Sequence, residues 1–484
     1  MMRLGCATLD ALPAWVQRPG YDRGQLPIGV LHFGPGAFHR AHQAAYFDSL
    51  CAFDARWGIC AVALHSSGVR DALAPQDGLY TMALLDAQPQ YRVIGALREL
   101  LVAPENPAAV FERLARPAIE IVTTTVTEKG YCLRADGTLD PAHPDILHDL
   151  QQPHAPRSVL GYLVQGLAQR YRAGTPPFVL VPCDNLPHNG ARLKAALVVL
   201  AGHTDVALAD RISVALECPD TMVDAITPAT DDALRSRVAA ATGLSDAWPV
   251  QREAFAQWVI GSHGHIGGPD WARVGVTLTD DVGALERTKL WVLNGAHSTL
   301  AYLGWLKGHE TVADAIADPA LHAAVRSYLL QDIVPLLQAA LADGAPEPTP
   351  GAALHGYVDA TLRRFANPAI QHRLAQIACD GSQKLPVRVL QPLRLALAGG
   401  ADVARFGLPL AAWLRFVRRM VQQGQPLVDP LAGELAALGR AMQDRVEDVD
   451  LALTKPLLFP ADLAADARVR QAVSAAYVSL LRAQ

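Results

Sequence analysis

Leu26-Pro-Ile-Gly-Val-Leu-His-Phe33 is a short apolar run of strand type, and Gly34-Pro-Gly36-Ala-Phe-His39 follows it at once. The residues from 40 to 50 then have helical spacing. A strand, a glycine turn and a helix in this order are the context in which a Gly-x-Gly pattern binds a dinucleotide. The first glycine allows the tight turn, and the second lets the backbone approach a pyrophosphate at the helix N-terminus. His39 stands where the usual pattern has its third glycine.

Strands and helices alternate outward from this stretch through the first 280 residues. The β-branched run 118–126 and the apolar run 177–182 are typical of parallel strands. From residue 281 onward helical spacing dominates. We therefore predict an α/β protein with a Rossmann-type dinucleotide-binding domain over residues 1–281 and a mainly α-helical substrate and catalytic domain over residues 282–484.

Composition excludes several classes of protein. The chain has 484 residues, 51% of them hydrophobic and 18% charged, with a net charge of −5. It therefore has no strongly basic balance that would favour nucleic acid, and it lacks a run of about 18 apolar residues that would span a membrane. Its 7 cysteines form no Cys-x2-Cys pair, so the sequence predicts neither a disulfide framework nor a thiolate metal site. We expect a cytoplasmic enzyme with reduced thiols.

The choice between NAD and NADP depends on the turn after the second strand, residues 57–64. In Rossmann domains an acidic residue at this point binds the adenine ribose hydroxyls. Here the chain reads His65-Ser66-Ser67-Gly68-Val69-Arg70, without a carboxylate before Asp71. Arg70 could meet a 2′-phosphate or could simply be solvated. We expect NAD to be preferred, with measurable use of NADP.

Lys289, Asn294 and His297 form the pattern Lys-x4-Asn-x2-His. They lie in a proline-free run, residues 281–307, that we read as one helix. At about 100° per residue the three side chains fall within an arc of roughly 140°. An amine, an amide and an imidazole can therefore point into one cleft. A lysine on such an apolar face is either a residue that reaches solvent or a desolvated one with a lowered pKa.

Asn185 comes just after the predicted strand 177–182. Open α/β sheets bind their ligands at the carboxyl ends of the strands. Asn185 is therefore a candidate ligand-binding residue, although asparagine in such a loop also serves as a turn residue.

Several separated motifs together resemble the mannitol dehydrogenase family of polyol-specific long-chain dehydrogenases, over about residues 25–480. The motifs are Gly34-x-Gly36-x-Phe38-His39-Arg40-Ala41-His42, Thr125-Val-Thr-Glu-Lys-Gly-Tyr131, Cys183-Asp-Asn185, Met222-Val-Asp224 and Lys289-x4-Asn294-x2-His297. Residues 127–132, 364–370 and 380–388 resemble in particular the branch that interconverts D-mannonate and D-fructuronate, the mannonate oxidoreductases or fructuronate reductases. The mannitol 2-dehydrogenases of the family are less similar in the last of these segments.

The resemblance implies a metal-free mechanism in which a lysine is the general base. By correspondence with the family's motifs, Lys289 is the base, and Asn185 and Asn294 donate hydrogen bonds to the reacting oxygen. His297 orients the substrate, Glu286 lies beside the lysine and Asp224 is a carboxylate on the substrate side. The implied cofactor-binding residues are Phe33, Gly34, Gly36, Ala37, Phe38, His39, Ser66, Thr127 and Glu128. One departure is Ala225, since the family usually has an arginine after that aspartate.

The most specific prediction is an NAD-dependent oxidoreductase that interconverts D-mannonate and D-fructuronate without a metal. A uronate needs a cation for its carboxylate, and Arg364, Lys384 and Arg388 are the candidates, each of which could instead be a surface charge. The main alternative is a mannitol 2-dehydrogenase acting on D-mannitol and D-fructose, or another polyol dehydrogenase. A nucleotide-binding regulator without catalysis would not need Lys289, Asn294 and His297 together.

The expected partners are a small sugar acid or polyol, with neither nucleic acid nor membrane, and the chain is expected to be a monomer or a homodimer. His39-x-x-His42 has the spacing of a metal-binding pair, but no Cys, Asp or Glu set accompanies it. We therefore expect no metal at this turn.

Overall fold

A parallel sheet with helices around it forms the first of two units in the computed structural model. The structure describes residues 1–86, 88–134, 136–262, 266–342 and 351–483, and only the backbone at residues 128, 129, 341, 342, 351 and 352. The two units are Met1–Gly283 and Ala284–Gln484.

The strands of the first unit fall into one large and two small sheets. They are β1 (Ile28–Phe33), β2 (Gly58–Ala63), β3 (Tyr80–Leu85), β4 (Gln90–Ile94), β5 (Leu97–Val102), β6 (Ile121–Thr124), β7 (Val179–Pro182), β8 (Thr221–Asp224), β9 (Val250–Glu253), β10 (Gln257–Gly261) and β11 (Thr277–Thr279). The large sheet has five parallel strands in the order β5-β2-β1-β6-β7. The small sheets, β4-β3-β9 and β11-β10-β8, mix parallel and antiparallel pairs.

The large sheet has the strand order of a Rossmann fold. The order reverses at the pair β1 and β6, where Phe33 lies opposite Thr124. The chain leaves β1 at Gly34, whose amide donates to the Val62 carbonyl at 3.0 Å. Open α/β sheets bind ligands at such a reversal, outside the carboxyl ends of the strands. The Gly34 turn and the turn after Thr124 therefore meet at the expected ligand-binding edge.

Helices cover both faces of the large sheet. Those of the first unit are α1 (Ala37–Ala41), α2 (Gln43–Cys51), α3 (Gly68–Leu73), α4 (Pro107–Ala115), α5 (Pro144–Gln151), α6 (Val159–Arg172), α7 (Asn189–Gly202), α8 (Val206–Ala215) and α9 (Asp232–Thr242). Alternate residues of β1 enter opposite cores: Leu31 packs with α4 and α6 residues, whereas Val30 packs with α2 residues. The strands are buried on both sides, as in other parallel sheets.

The second unit is helical in the parts that the structure describes. Its α-helices are α10 (Val282–Thr288, which begins in the first unit), α11 (Gly295–Leu306), α12 (Val312–Ala317), α13 (Pro319–Tyr328), α14 (Val334–Ala342), α15 (Gly351–Phe365), α16 (Leu374–Ala378), α17 (Gly381–Leu385), α18 (Gln391–Ala398), α19 (Gly407–Gln422), α20 (Ala432–Ala441), α21 (Glu447–Leu453), α22 (Ala461–Ala465) and α23 (Ala467–Arg482). π-Helical segments join some of them, at Lys289–Asn294, Leu329–Ile333 and Pro386–Leu390. Searched over the described residues, the structure has no helix long and apolar enough to cross a bilayer.

These two architectures confirm the predicted fold class, a Rossmann-type α/β domain followed by a mainly α-helical one. The prediction that residues 281–307 form one regular α-helix was wrong for the middle of that run. The helical path is continuous, but Lys289–Asn294 is a π-helix between α10 and α11.

Candidate cofactor turn and active-site residues

Gly34 and Gly36 have different roles in the turn after β1. Gly34 has φ +93°, and a Cβ there would lie 2.3 Å from the Thr125 carbonyl oxygen. The close approach of two backbones therefore requires glycine at this position. Gly36 is exposed, and a Cβ there would meet nothing nearer than the Gly34 carbonyl oxygen, at 3.9 Å. The open space over Gly36, at the N-terminus of α1, fits the approach of a dinucleotide pyrophosphate.

His39 is turned away from the surface of this turn. Its ring is fully buried and stacks on His32, with 3.3 Å between the ring centroids. Burial lowers the pKa of both imidazoles below the usual value for histidine, so both are neutral at pH 7. The position of the third glycine in the usual fingerprint is thus filled by a packed aromatic side chain. The predicted role of His39 in binding the cofactor stays a prediction.

The other predicted residues of the turn differ in exposure. Phe33 is buried at the end of β1, and Ala37 and Phe38 are half-buried in the first turn of α1. Ser66 is exposed between β2 and α3. The side chain of Glu128 lies outside the described residues. His42 is buried, with Nε2 2.9 Å from the Gln257 carbonyl oxygen.

Asp184 fixes the turn that follows β6, a role that its place in the motif Cys183-Asp-Asn185 does not reveal. Its carboxylate accepts the Thr127 amide at 2.8 Å and the Tyr131 hydroxyl. Burial raises the pKa of Asp184 to about 6. Thr127, a predicted cofactor residue, has φ +67°, a conformation that is strained for threonine and must be held by its surroundings. The Asp184 carboxylate therefore positions Thr127 at the ligand-binding edge of the sheet.

We expect Asp184→Ala to raise the dissociation constant for NAD by about tenfold, because a freed Thr127 turn no longer matches the cofactor. Asp184→Asn is the matched control, since its amide oxygen still accepts the Thr127 amide. Fluorescence titration with NADH measures both variants. Equal affinity of the alanine variant and the wild type would show that the turn keeps its conformation without Asp184.

Arg70 is neutralised by acidic neighbours. Its guanidinium pairs with Asp71 at 2.7 Å and also with Glu105. The Ser67 hydroxyl donates to the same Asp71 carboxylate, at 2.5 Å. A 2′-phosphate would have to compete with two carboxylates for this arginine. The arrangement therefore favours NAD over NADP.

Lys289 is buried in the second unit, with 7% of its surface exposed, and it begins the π-helical segment. The Gly295 amide donates to the Leu290 carbonyl, five residues back, as π-helical bonding requires. A π turn holds more residues than an α turn, so Asn294 lies more nearly beneath Lys289 than regular α-helical spacing predicts. Such single π turns occur frequently at functional sites.

His297 is held as a neutral imidazole within α11. It is 7% exposed and stacks on Phe365, with 4.1 Å between ring centroids, while the His372 ring lies edge-on at 5.5 Å. Its pKa is well below the usual histidine value, first because of burial and then because of the nearby His372, Arg388, Arg364 and Lys384. Its Nε2 has no hydrogen-bond partner among the described residues. A buried ring nitrogen of a neutral imidazole that lacks such a partner is suited to form a hydrogen bond with a ligand hydroxyl.

The three cations predicted from the sequence are therefore brought together around His297. Arg388, on the π-helical segment Pro386–Leu390, donates to the Ser298 hydroxyl at 3.0 Å and to the Asn294 carbonyl at 3.4 Å. Lys384 donates to the carbonyls of Cys379 and Ile377, at 2.6 and 3.2 Å. Burial and the charge of Arg388 lower the pKa of Lys384. We call Arg364, Lys384 and Arg388 the basic cluster.

The remaining predicted residues are placed as follows. Glu286 is half-buried in α10, one turn before Lys289. Asp224, at the end of β8, is buried, and Asn185, after β7, is exposed; both belong to the first unit. The roles assigned to these residues stay predictions.

Comparison with known proteins gives a match over nearly the whole chain. Residues 28–273 match the mannitol dehydrogenase Rossmann domain, and residues 281–481 match the mannitol dehydrogenase C-terminal domain. D-Mannonate oxidoreductase of Escherichia coli K12 is 40% identical over 96% of this chain and 96% of its own length. A mannitol 2-dehydrogenase of Phaeosphaeria nodorum is 37% identical over 87% of this chain and 74% of its own.

Among solved structures, Pseudomonas fluorescens mannitol 2-dehydrogenase, in a ternary complex with NAD and D-mannitol, is 35% identical. It superimposes with a TM-score of 0.85, covering 100% of this chain and 99% of that one.

Proposed function

Because the chain belongs to the mannitol dehydrogenase family and is an NAD-dependent dehydrogenase of polyols or sugar acids, we propose that it interconverts D-mannonate and D-fructuronate. The observation that carries the proposal is the basic cluster around His297. Similarity to the mannonate oxidoreductase of Escherichia coli supports it.

The charge of the substrate decides between a sugar acid and a hexitol. Mannonate and fructuronate carry a carboxylate, whereas mannitol and fructose are neutral. Lys384 is half-buried and donates to two neutral carbonyls, and its ammonium has three hydrogens to donate. Bringing cations together in a partly buried place costs free energy that an anionic ligand offsets. A carboxylate is therefore the ligand group that the basic cluster favours.

The proposed chemistry assigns one task each to Lys289, Asn294 and His297 of the second unit, and the turns of the first unit hold the cofactor. NAD supplies the acceptor for the hydride of the carbinol carbon, and Gly34, Gly36 and the Thr127 turn are the residues proposed to hold it. Lys289 takes the proton from the hydroxyl in the oxidation direction and returns it in the reduction direction. Asn294 donates to the reacting oxygen and stabilises its developing negative charge. His297, neutral and buried, orients the substrate by a hydrogen bond.

We expect Lys384→Met to lower kcat/KM for D-fructuronate by about 30-fold or more, since losing one partner of a desolvated charge pair costs about 2–5 kcal/mol. Activity with D-fructose, which has no carboxylate, should change little. Arg363→Met is the matched control, because Arg363 is exposed on α15 next to Arg364. Steady-state reduction of both substrates with NADH measures the two effects.

The same comparison applied to Arg364→Met and Arg388→Met identifies which cation binds the carboxylate. Equal losses with fructuronate and fructose would indicate a structural role for the cluster. A wild-type enzyme that oxidises D-mannitol far better than D-mannonate would overturn the proposed substrate and support a mannitol 2-dehydrogenase instead.

A further inference from the structure

Cys132, His143 and Asp145 lie close together in the first unit and have no role in the proposed reaction. Their candidate ligand atoms, the Cys132 thiol, a ring nitrogen of His143 and a carboxylate oxygen of Asp145, all lie within 4.8 Å of one another. Cys132 follows the turn Glu128–Tyr131, His143 caps α5, and Asp145 is in the first turn of α5. Among the described residues, this is a group of the types that bind zinc.

The spacing is close to that of a tetrahedral metal site. Zinc bonds of about 2.0–2.3 Å place neighbouring ligand atoms about 3.4–3.6 Å apart. His143 Nδ1 is 3.9 Å from an Asp145 carboxylate oxygen. Small side-chain rotations therefore suffice to bring the three atoms to metal-binding distances. His143 and Asp145 are half-buried, so solvent can provide a fourth ligand.

The backbone holds Cys132 in place for such a role. Cys132 is buried and has φ +52°, a strained left-handed conformation for cysteine. Its carbonyl accepts the Asp140 amide at 2.9 Å, and the Arg134 amide donates to the Thr138 carbonyl at 2.8 Å. These bonds tie the backbone at Cys132 and Arg134 to Thr138 and Asp140.

The local charges favour a cation. The carboxylates of Asp140, Asp145 and Asp149 lie near the Cys132 thiol. Arg134 is a basic neighbour, 3.6 Å from Asp140 and exposed for about half of its side chain. A divalent ion in this place is attracted by the carboxylates and stabilises the thiolate.

We propose that Cys132, His143 and Asp145 bind one zinc ion, with water as the fourth ligand. Binding replaces the S–H bond of Cys132 by a sulfur–zinc bond and releases one proton to solvent. Coordination through His143 Nδ1 replaces the 3.2 Å hydrogen bond that this atom accepts from the Asp145 amide and leaves Nε2 protonated. The ion ties the turn that follows Thr127 to the start of α5.

The test uses the full chain, stripped of metal by a chelator and desalted. Titration with zinc against a chromophoric chelator should show one tight equivalent in the wild type. Cobalt in its place should give a thiolate-to-metal charge-transfer band. Cys132→Ser should abolish the band, and His143→Gln and Asp145→Asn should each weaken zinc binding by at least about tenfold. Cys379→Ser, which alters a half-buried cysteine of the other unit, is the control and should bind like the wild type.

Thermal unfolding of each variant separates loss of the site from loss of the fold. His143 is only half-buried, so His143→Gln should fold normally without zinc and give a smaller rise in Tm than the wild type when zinc is added. The wild type should gain Tm with zinc. Two results would each overturn the proposal: no stoichiometric zinc in the wild type at micromolar concentrations, or unchanged binding in both Cys132→Ser and His143→Gln.

Discussion

Lys289→Ala is expected to lower turnover by about 10²–10⁴-fold, the usual contribution of a positioned general base. The side chain is buried at the start of the π-helical segment, so water cannot easily replace the amine. Binding of NADH, measured by fluorescence, should persist, because the residues proposed to hold the cofactor belong to the first unit.

Lys307→Ala is the control for this variant. Lys307 is exposed at the end of the same helical run and pairs with Asp318 at 2.7 Å. It should keep full turnover. Small primary amines added to Lys289→Ala should restore part of the rate, since they can occupy the space left by the side chain. More than about a tenth of wild-type turnover in Lys289→Ala would show that another group accepts the proton.

The second large effect is expected from a pair of glycine variants. Gly34→Ala should destabilise the protein by more than about 3 kcal/mol or prevent folding, because its Cβ collides with the Thr125 carbonyl at φ +93°. Gly36→Ala should leave stability nearly unchanged, since the added methyl group has room within the protein. It should nevertheless weaken NADH binding by at least about tenfold, because the methyl group occupies space that the pyrophosphate needs.

Denaturant unfolding and NADH titration of both variants measure this difference. The two glycines belong to one motif. If Gly36→Ala lost as much stability as Gly34→Ala, Gly36 would be required for the fold and not for binding the cofactor. Full NADH affinity in a folded Gly36→Ala protein would rule out the space over Gly36 as the pyrophosphate site.

The sequence predicted the parts of the structure that depend on local pattern. The strand, glycine turn and helix at residues 26–50 identified the Rossmann-type domain, and the separated motifs identified the family, which the comparisons confirm. Arg364, Lys384 and Arg388 were predicted because a carboxylate substrate requires cations; the structure places all three near His297, and their role in binding a carboxylate stays a prediction.

The parts that were missed depend on contacts between distant residues or on a change in backbone bonding. Asp184 holds Thr127, 57 residues earlier in the chain, and no local pattern indicates such a contact. The stacking of His39 on His32, which takes the His39 ring into the interior, likewise joins residues from β1 and α1 that no local pattern pairs. The π-helical segment at Lys289 was missed because apolar periodicity does not show whether a backbone carbonyl accepts its hydrogen bond from the amide four or five residues ahead.

The π turn at Lys289–Asn294 holds one residue more than a regular α-helical turn would. Removing one residue from it, for example Leu290, would let the segment close as a regular α-helix with better backbone hydrogen bonds. Lys289 and Asn294 would then be four residues apart and Lys289 and His297 seven, and a regular α-helix places side chains at these spacings on one face. The π turn therefore accommodates one additional residue in the helical run while the three side chains keep a common face.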